Sequence, residues 1–268
     1  MKTVKNIKKI TSAMKVVAAA KLRKAQVDME KSRAMVSPFA TIIGDHPSLE
    51  TDSSLTVPIT SDRGLCGGIN SATTRYSRAT FAATGGAEKN GAIVILGEKG
   101  KGQMQRLDGP NIKATITDLA KVRLTFATAS ALAERIQAEE AGAVRLVYNT
   151  FQSAVSFVPT VATALSGPEL TKVLEEHGAL DKYEIEGPED ASELAQNLAE
   201  FQLATYVFNG LLENATSENA SRMQAMENST KNASEMIDSL SITYNRARQA
   251  SITTELIEII SGASALEG

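Results

Sequence analysis

The stretch 223–247, MQAMENSTKNASEMIDSLSITYNRA, decides how this chain is built. Apolar or small residues recur there at Met223, Met226, Thr230, Ala233, Ile237, Leu240, Tyr244 and Ala247. That 3–4 alternation is the seam spacing of a left-handed coiled coil. Upstream, the same alternation runs through Leu194, Leu198, Phe201, Thr205, Phe208, Leu212 and Ala215. The two registers differ by one residue near Asn219, which predicts a stutter within a single helix. Beyond Ala247 the apolar set shifts to Ile252, Leu256, Ile259 and Ile260, so the seam drifts there. Small and medium seam residues, flanked by Asn214, Asn219, Asn228 and Asn232, predict modest packing rather than a self-associating zipper.

Working outward, the helix breakers are confined to the middle of the chain. All seven prolines lie between Pro38 and Pro188, and both 1–37 and 211–261 lack glycine and proline. Roughly 70 residues, from Asp190 to Ser261, make a helix of about 105 Å at ~1.5 Å per residue. A compact body of 268 residues would be only ~47 Å across. The helix is therefore expected to project from such a body. The first 37 residues read as a second helix of ~55 Å, with Val4, Ile7, Ile10, Met14, Val17, Leu22 and Ala25 as its expected buried stripe.

Charge pairs these two ends. Residues 1–33 carry ten basic and two acidic side chains, a net +8, whereas 189–268 carry twelve acids and four bases, a net −8. Opposite charge of equal size suits the two helices to lie side by side, antiparallel. A basic arm for nucleic acid is the rival reading, and the acidic complement within the same chain argues against it. A mitochondrial targeting peptide is the other rival; the segment lacks the Ser/Arg bias and runs past the usual length. In an antiparallel pair the apolar C-terminal end (Ile257, Ile259, Ile260, Leu266) outruns Met1 and needs a partner to enclose it.

The middle reads as a Rossmann-like open α/β domain. Strands are expected at 55–60, 92–96, 143–148 and 155–161, with helices at 71–83 and 117–140. Alternating elements predict a largely parallel sheet. The expected organisation is an N-terminal coiled-coil helix (1–45), the α/β domain (50–166), a connector (167–189) and a C-terminal coiled-coil helix (190–268). The fold class is thus α/β plus long α.

Composition excludes several functions. No apolar run approaches the ~18–20 residues of a membrane span. The single cysteine, Cys66, excludes an intrachain disulfide and a multi-thiolate zinc site. His46 and His177 sit in unrelated segments and form no ligand cluster. Two glycine-rich stretches resemble phosphate loops. The run 60–68, TSDRGLCGG, follows a strand and opens a helix, but it lacks G-x-G-x-x-G and a following lysine. The run 97–102, GEKGKG, lacks the P-loop pattern. Glycine-rich turns of an α/β domain are the plainer reading of both, and Cys66 reads as a small buried hydrophobe. No catalytic, cofactor or metal set stands out, which leaves a nucleotide-binding α/β enzyme and a scaffolding coiled coil as the alternatives to test.

Three stretches carry a family resemblance: 5–19 (KNIKKITSAMKVVAA), 61–67 (SDRGLCG) and 220–262, in which RMQAM (222–226) and YNRARQA (244–250) are the most specific pieces. Together they resemble the gamma-subunit family of F-type ATP synthases. The ending ELIEIISGA (255–263) resembles mitochondrial members most, with bacterial relatives close. The resemblance implies a location on the matrix side of the mitochondrial inner membrane; the bacterial alternative is the cytoplasmic side of the plasma membrane. The dithiol insertion of chloroplast members is absent, so thiol control is not expected. Family chains begin about two helical turns earlier, so Met1 reads as an internal residue of a cropped or processed chain.

The resemblance implies a non-catalytic shaft inside a ring of alternating alpha and beta subunits, with the α/β domain at its foot near delta/epsilon-type stalk subunits and the membrane c ring. Nucleotide sites are then expected on the ring, with no cofactor, nucleic acid or membrane span belonging to this chain. By resemblance, Arg246 and Gln249 meet ring loops. Arg63, Cys66 and the helix that follows lie near an acidic region of a beta subunit. The stretch containing Ile252, Leu256, Ile259 and Ile260 turns in an apolar sleeve. Lys8, Lys9, Lys15, Lys21 and Arg23 carry a mixed expectation, some complementing the acidic helix and others facing partners.

Overall fold

The computed structural model describes residues 1–44, 51–177 and 191–267. His46, residues 178–189 of the expected connector and the side chain of Leu266 lie outside the described residues. Two long helices bracket the fold: α1 (Lys2–Ile42) and α6 (Ala191–Glu267), the latter 77 residues long. Pro38 lies inside α1, one turn before its end, and lacks the N–H that would bond the carbonyl of Ala34. The chain divides into two compact units, one of 18–224 and one of 1–17 with 225–268.

In the unit 18–224 a five-stranded sheet has the order β3-β2-β1-β4-β5, from β1 (Ser54–Pro58), β2 (Ala92–Leu96), β3 (Ile112–Ile116), β4 (Ala143–Ser153) and β5 (Ser156–Leu165). The first four strands pair in parallel and β5 returns antiparallel to β4. Helices α2 (Ile69–Ala83) and α3 (Glu98–Asp108) enclose a small core of Phe81, Ile93, Ile95 and Met104. Alternate strand residues, Leu55, Val57, Ile59, Val94 and Leu96, join a larger core with α4 (Phe126–Gln137), α5 (Gly167–His177) and α6. The two sets of alternating residues supply the two faces of a three-layer α/β unit.

Several elements differ from expectation. Strand β3, Ile-Lys-Ala-Thr-Ile, alternates apolar and polar residues and was not among the expected strands; the continuous apolar runs are the strands buried at the sheet centre. The expected helix 117–140 is only α4. Asp118 adopts φ +65°, a single turn follows at Leu119–Lys121, and the Thr125 hydroxyl then caps α4 by accepting from the N–H of Thr128. The run 97–102 is not a loop but the start of α3. A Cβ on Gly100 would stand 2.6 Å from Thr60 Oγ1 and 2.9 Å from Ile95 Cγ2, so this glycine lets α3 press onto the sheet.

Along α6, residues Gln202 to Ser217 are buried on nearly all sides, Phe208 and Ala215 being only partly exposed. The expected upstream stripe is therefore not a simple seam, and Phe201 is largely exposed. Gly210 explains how a helix is buried so fully: a Cβ there would meet Ile59 Cδ1 at 2.8 Å and Tyr148 Cδ1 at 3.2 Å. The register shift near Asn219 falls where α6 bonds to the sheet and the 60–68 turn, from Ser217 to Asn149 O, from Ser221 to Cys66 O and from Arg222 to Gly64 O.

In the other unit, 1–17 pairs antiparallel with about 225–241. Lys8 Nζ donates to Ser234 Oγ at 2.8 Å, Thr230 Oγ1 bonds Thr11 Oγ1 at 2.7 Å, and Lys15 meets Glu227 at 2.7 Å. The seam on α6 follows expectation at Met226, Thr230, Ala233, Ile237 and Leu240, but Tyr244 and Ala247 are exposed. At this register Met1 comes opposite about Ser241, so no residue of α1 remains to cover them. On α1 the expected stripe holds in part, at Val4, Met14, Leu22 and Ala25, and needs correction at Ile7, Ile10 and Val17. Val4, Lys8, Thr11 and Lys15 face α6, whereas Ile10 and Val17 are 59% and 56% exposed and Ile7 is also exposed.

Close packing at Gly100 sets a stability test. Gly100→Val is expected to destabilise the fold by about 1–3 kcal/mol through overpacking. Gly102→Ala, with nothing within 4 Å of the added methyl, is expected to stabilise by about 0.4–1 kcal/mol. Urea denaturation followed by circular dichroism reads both.

Candidate functional site

The turn 60–68 leaves β1 at the C-terminal edge of the parallel strands, the edge where open α/β sheets hold ligands. Its first residues are tied down on all sides. Thr60 Oγ1 donates to Leu96 O at 2.8 Å and accepts from the N–H of Gly100 at 3.0 Å. Asn70 Oδ1 accepts from the N–H of Ser61 at 2.9 Å, and its Nδ2 donates to Ser61 Oγ at 2.8 Å. Asp62 spans three segments. Its Oδ1 accepts from the N–H groups of Glu98 (3.2 Å) and Asp118 (3.1 Å), and Oδ2 from that of Ala120 (2.8 Å).

Glu98 is the first residue of α3, so the helix N-terminus that suits an anion already holds a carboxylate of the chain's own. The cavity beside Asp62, bounded by Thr60, Leu119 and Glu218, measures about 70 Å³, well below the ~300 Å³ of small ligand pockets. The resemblance of 60–68 and 97–102 to phosphate loops thus has a structural origin. Both runs make a strand–helix turn, and Asp62 occupies the seat between them.

The tip of the turn is different in character. Arg63 is exposed, and Leu65 adopts φ +59° with 65% of its surface exposed. A large apolar residue in the left-handed region carries steric strain. Cys66, by contrast, is 2% exposed, with Sγ 3.3 Å from Asn70 Nδ2. Burial pushes its thiol pKa up, an effect the Ser61 hydrogen bond opposes. What the turn presents outward is Arg63 and Leu65, not Cys66. The sequence singled out the cysteine by rarity; the signal that finds Leu65 is its backbone angle.

Helix α6 holds the turn from behind. Ser221 Oγ donates to Cys66 O at 2.6 Å and Arg222 Nη2 to Gly64 O at 3.4 Å, while Arg222 also pairs with Glu218. Burial raises the Glu218 pKa, partly offset by the Arg222 charge. Gly67, at φ +62°, leaves only 3.0 Å between an added Cβ and Ser221 Oγ.

The remaining expected contact residues fall into two groups. Lys8 and Lys15 are engaged with Ser234 and Glu227, the latter an exposed pair of the kind worth ~1 kcal/mol or less; Lys9 is exposed. Arg246 and Gln249 lie on an exposed stretch of α6, and neither side chain has a hydrogen-bond partner among the described residues. Ile252, Leu256, Ile259 and Ile260 continue from them at 3–4 spacing, all about half exposed or more. Lys21, with Lys24, Lys31 and Arg123, rims a groove of about 500 Å³ floored by Phe208 and Leu212.

Comparison with known proteins agrees with this arrangement. The family model described as ATP synthase matches residues 1–266. The mitochondrial ATP synthase subunit gamma of Ipomoea batatas is 52% identical over 273 residues, covering 100% of this chain and 83% of that protein. Among solved structures, the central stalk and c-ring assembly of Tetrahymena thermophila mitochondrial ATP synthase contains a chain 28% identical, with TM-score 0.67, covering 82% of this chain and 99% of that one. A chain of the Euglena gracilis mitochondrial ATP synthase shares the fold at TM-score 0.79 and 22% identity, covering 99% and 92%.

Cys66 supplies a pH test. A thiol whose pKa is raised by folding keeps its stabilising neutral form through neutral pH, and the fold loses stability as pH rises past the ordinary thiol range. Iodoacetamide at pH 8 is expected to alkylate Cys66 at least ~10-fold more slowly in the folded chain than in urea, read by mass spectrometry.

Proposed function

This chain belongs to the gamma-subunit family of ATP synthases, and from that membership we propose that it is the central rotor shaft of a mitochondrial F1Fo ATP synthase. It sits on the matrix side of the inner membrane. Proton-driven rotation of a c ring turns it inside a ring of alpha and beta subunits. Delta/epsilon-type stalk subunits join it at the α/β unit, where the lysine-rimmed groove offers a surface of complementary charge to an acidic partner.

The observation that carries this reading is the face of α6 beyond Ser241. Every side chain from Ile242 to Ser264 is exposed, and Ile252, Leu256, Ile257, Ile259 and Ile260 form an apolar stripe beside Arg246 and Gln249. An isolated helix of this kind exposes more apolar surface than water tolerates cheaply. An apolar sleeve supplied by the ring removes that cost without gripping the helix in one orientation, because apolar contact is non-directional. Polar groups such as Arg246, Gln249 and Arg63 then contact each ring subunit differently at each angle. A shaft shifts the equilibrium of a nucleotide site only through such differential contact energy.

The chain itself is non-catalytic in this reading, and its nucleotide chemistry belongs to the partners. Asp62 in the anion seat of α3 supports that assignment, since a phosphate there would have to displace three hydrogen bonds.

Two measurements test the proposal. The purified intact complex is expected to hold one copy of this chain per three alpha and three beta subunits; equal copy numbers of all three would sink it. Removing 252–268 is expected to lower proton pumping per ATP hydrolysed while the α/β unit keeps its circular dichroism spectrum. Unchanged coupling in that variant would remove the bearing role of the tip.

A further inference from the structure

The 18–224 unit contains a polar knot that its apolar core does not require. Glu213 of α6, with its side chain 2% exposed, receives hydrogen bonds from two other elements. From α1, Arg33 donates through Nε to Oε1 and through Nη2 to Oε2 at 3.0 Å. From β4, the N–H of Phe151 donates to Oε2 at 2.8 Å. Arg33 Nη2 closes the triangle by donating to Phe151 O at 2.7 Å. One turn away, Ser32 Oγ donates to Asn209 Oδ1 at 2.9 Å. On the sheet side, Asn149 Nδ2 donates to Asn214 Oδ1 at 3.0 Å and Ser217 Oγ to Asn149 O at 3.0 Å.

These groups occupy residues 209–217, about two and a half turns of α6, centred on Glu213; the span includes Gly210, the residue that brings the helix backbone onto Ile59 and Tyr148. Leu, Val and Ala contacts hold a helix on a sheet through shape, with no directional bond of their own; hydrogen bonds and ion pairs add a directional restraint against sliding and turning. A bidentate Arg–carboxylate pair anchored to a strand's backbone has one productive geometry. Leaving it exposes a buried carboxylate and backbone groups without partners.

We infer that this knot is the torsional joint of the molecule: Arg33 and Glu213, with Asn149, Asn209, Asn214 and Ser217, lock the rotation and axial setting of α6 against the sheet, so that torque entering through the α/β unit reaches the helix without slip. Arg33 and Glu213 are positioning residues in this role. The inference rests on the rotor reading and adds where in the chain the load is carried.

Single-molecule rotation of the complete complex tests it. The ring is fixed to a surface, and a bead is attached at Val155→Cys, an exposed position on the β4–β5 turn. Its angular spread is then recorded during the pauses between steps. Glu213→Gln keeps the side chain's shape and the Phe151 bond but loses the ion pair. Arg33→Lys keeps the charge but loses the fork. Each is expected to widen the angular variance about two-fold or more, while ATP hydrolysis stays within about two-fold of the unsubstituted complex. A merely structural role would alter assembly yield or thermal midpoint and leave the variance unchanged. Variance equal to that of the unsubstituted chain in both variants overturns the joint with rotation intact. A bead on the unsubstituted chain that does not turn overturns the rotor reading, and the joint with it.

Discussion

Helix α6 passes through two environments that make opposite demands on it. From Gln202 to Ser217 it is enclosed by the sheet and α1, so residues on every side of the helix must suit an interior. From Ile242 to Ser264 no described residue of the chain covers it. One continuous helix meets both only by changing its surface along its length. The enclosed part uses Gly210 for close approach and small polar residues that bond across elements. Those lie among buried apolar residues such as Leu203, Tyr206 and Leu211, whereas the uncovered part keeps its apolar side chains, Ile252, Leu256, Ile259 and Ile260, to a stripe between polar ones. Backbone hydrogen bonding inside the helix is satisfied in either environment, which lets the change occur without a break.

The same division of labour runs through the α/β unit. Its topology is that of a ligand-binding sheet, with strand–helix turns gathered at the C-terminal edge of parallel strands. In place of a ligand, Asp62 joins the starts of α3 and of the 118–120 turn. The carboxylate satisfies N–H groups that would otherwise attract an anion, and it ties the edge of the sheet into one rigid piece. Ser221 and Arg222 then attach α6 to that piece through Cys66 O and Gly64 O. The edge that in other sheets is open for binding here carries hydrogen bonds from the 60–68 turn to α3, the 118–120 turn and α6.

The paired helices show where residue type and burial part company. On α1, Lys8, Thr11 and Lys15 face α6, and Ile10 and Val17 face outward. Lysine can take a seam position because its aliphatic stem packs while its ammonium reaches a polar partner, here Ser234 or Glu227. The expected stripe holds at Val4, Met14, Leu22 and Ala25, and misses at Ile7, Ile10 and Val17, whose places are taken by Lys8, Thr11 and Ala18 one position on. The charge asymmetry of the two ends was a better guide to their pairing than hydropathy.

The amino-acid sequence by itself determined the two terminal helices, their antiparallel pairing, the central α/β layer and the family, because breaker placement, opposite net charge and short motifs are local properties of the chain. It also exposed the drift of the seam beyond Ala247. The burial of Lys8, Thr11 and Lys15 on α1 in preference to Ile7, Ile10 and Val17, the existence of β3 and α3, and the roles of Asp62, Leu65 and Glu213 were decided only by the tertiary structure. Each depends on what lies opposite: Thr60 beneath Gly100, three N–H groups around Asp62, and Arg33 with Phe151 around Glu213. Such partners are separated from one another by tens to hundreds of positions along the chain, and periodicity records only a residue's neighbours on its own element.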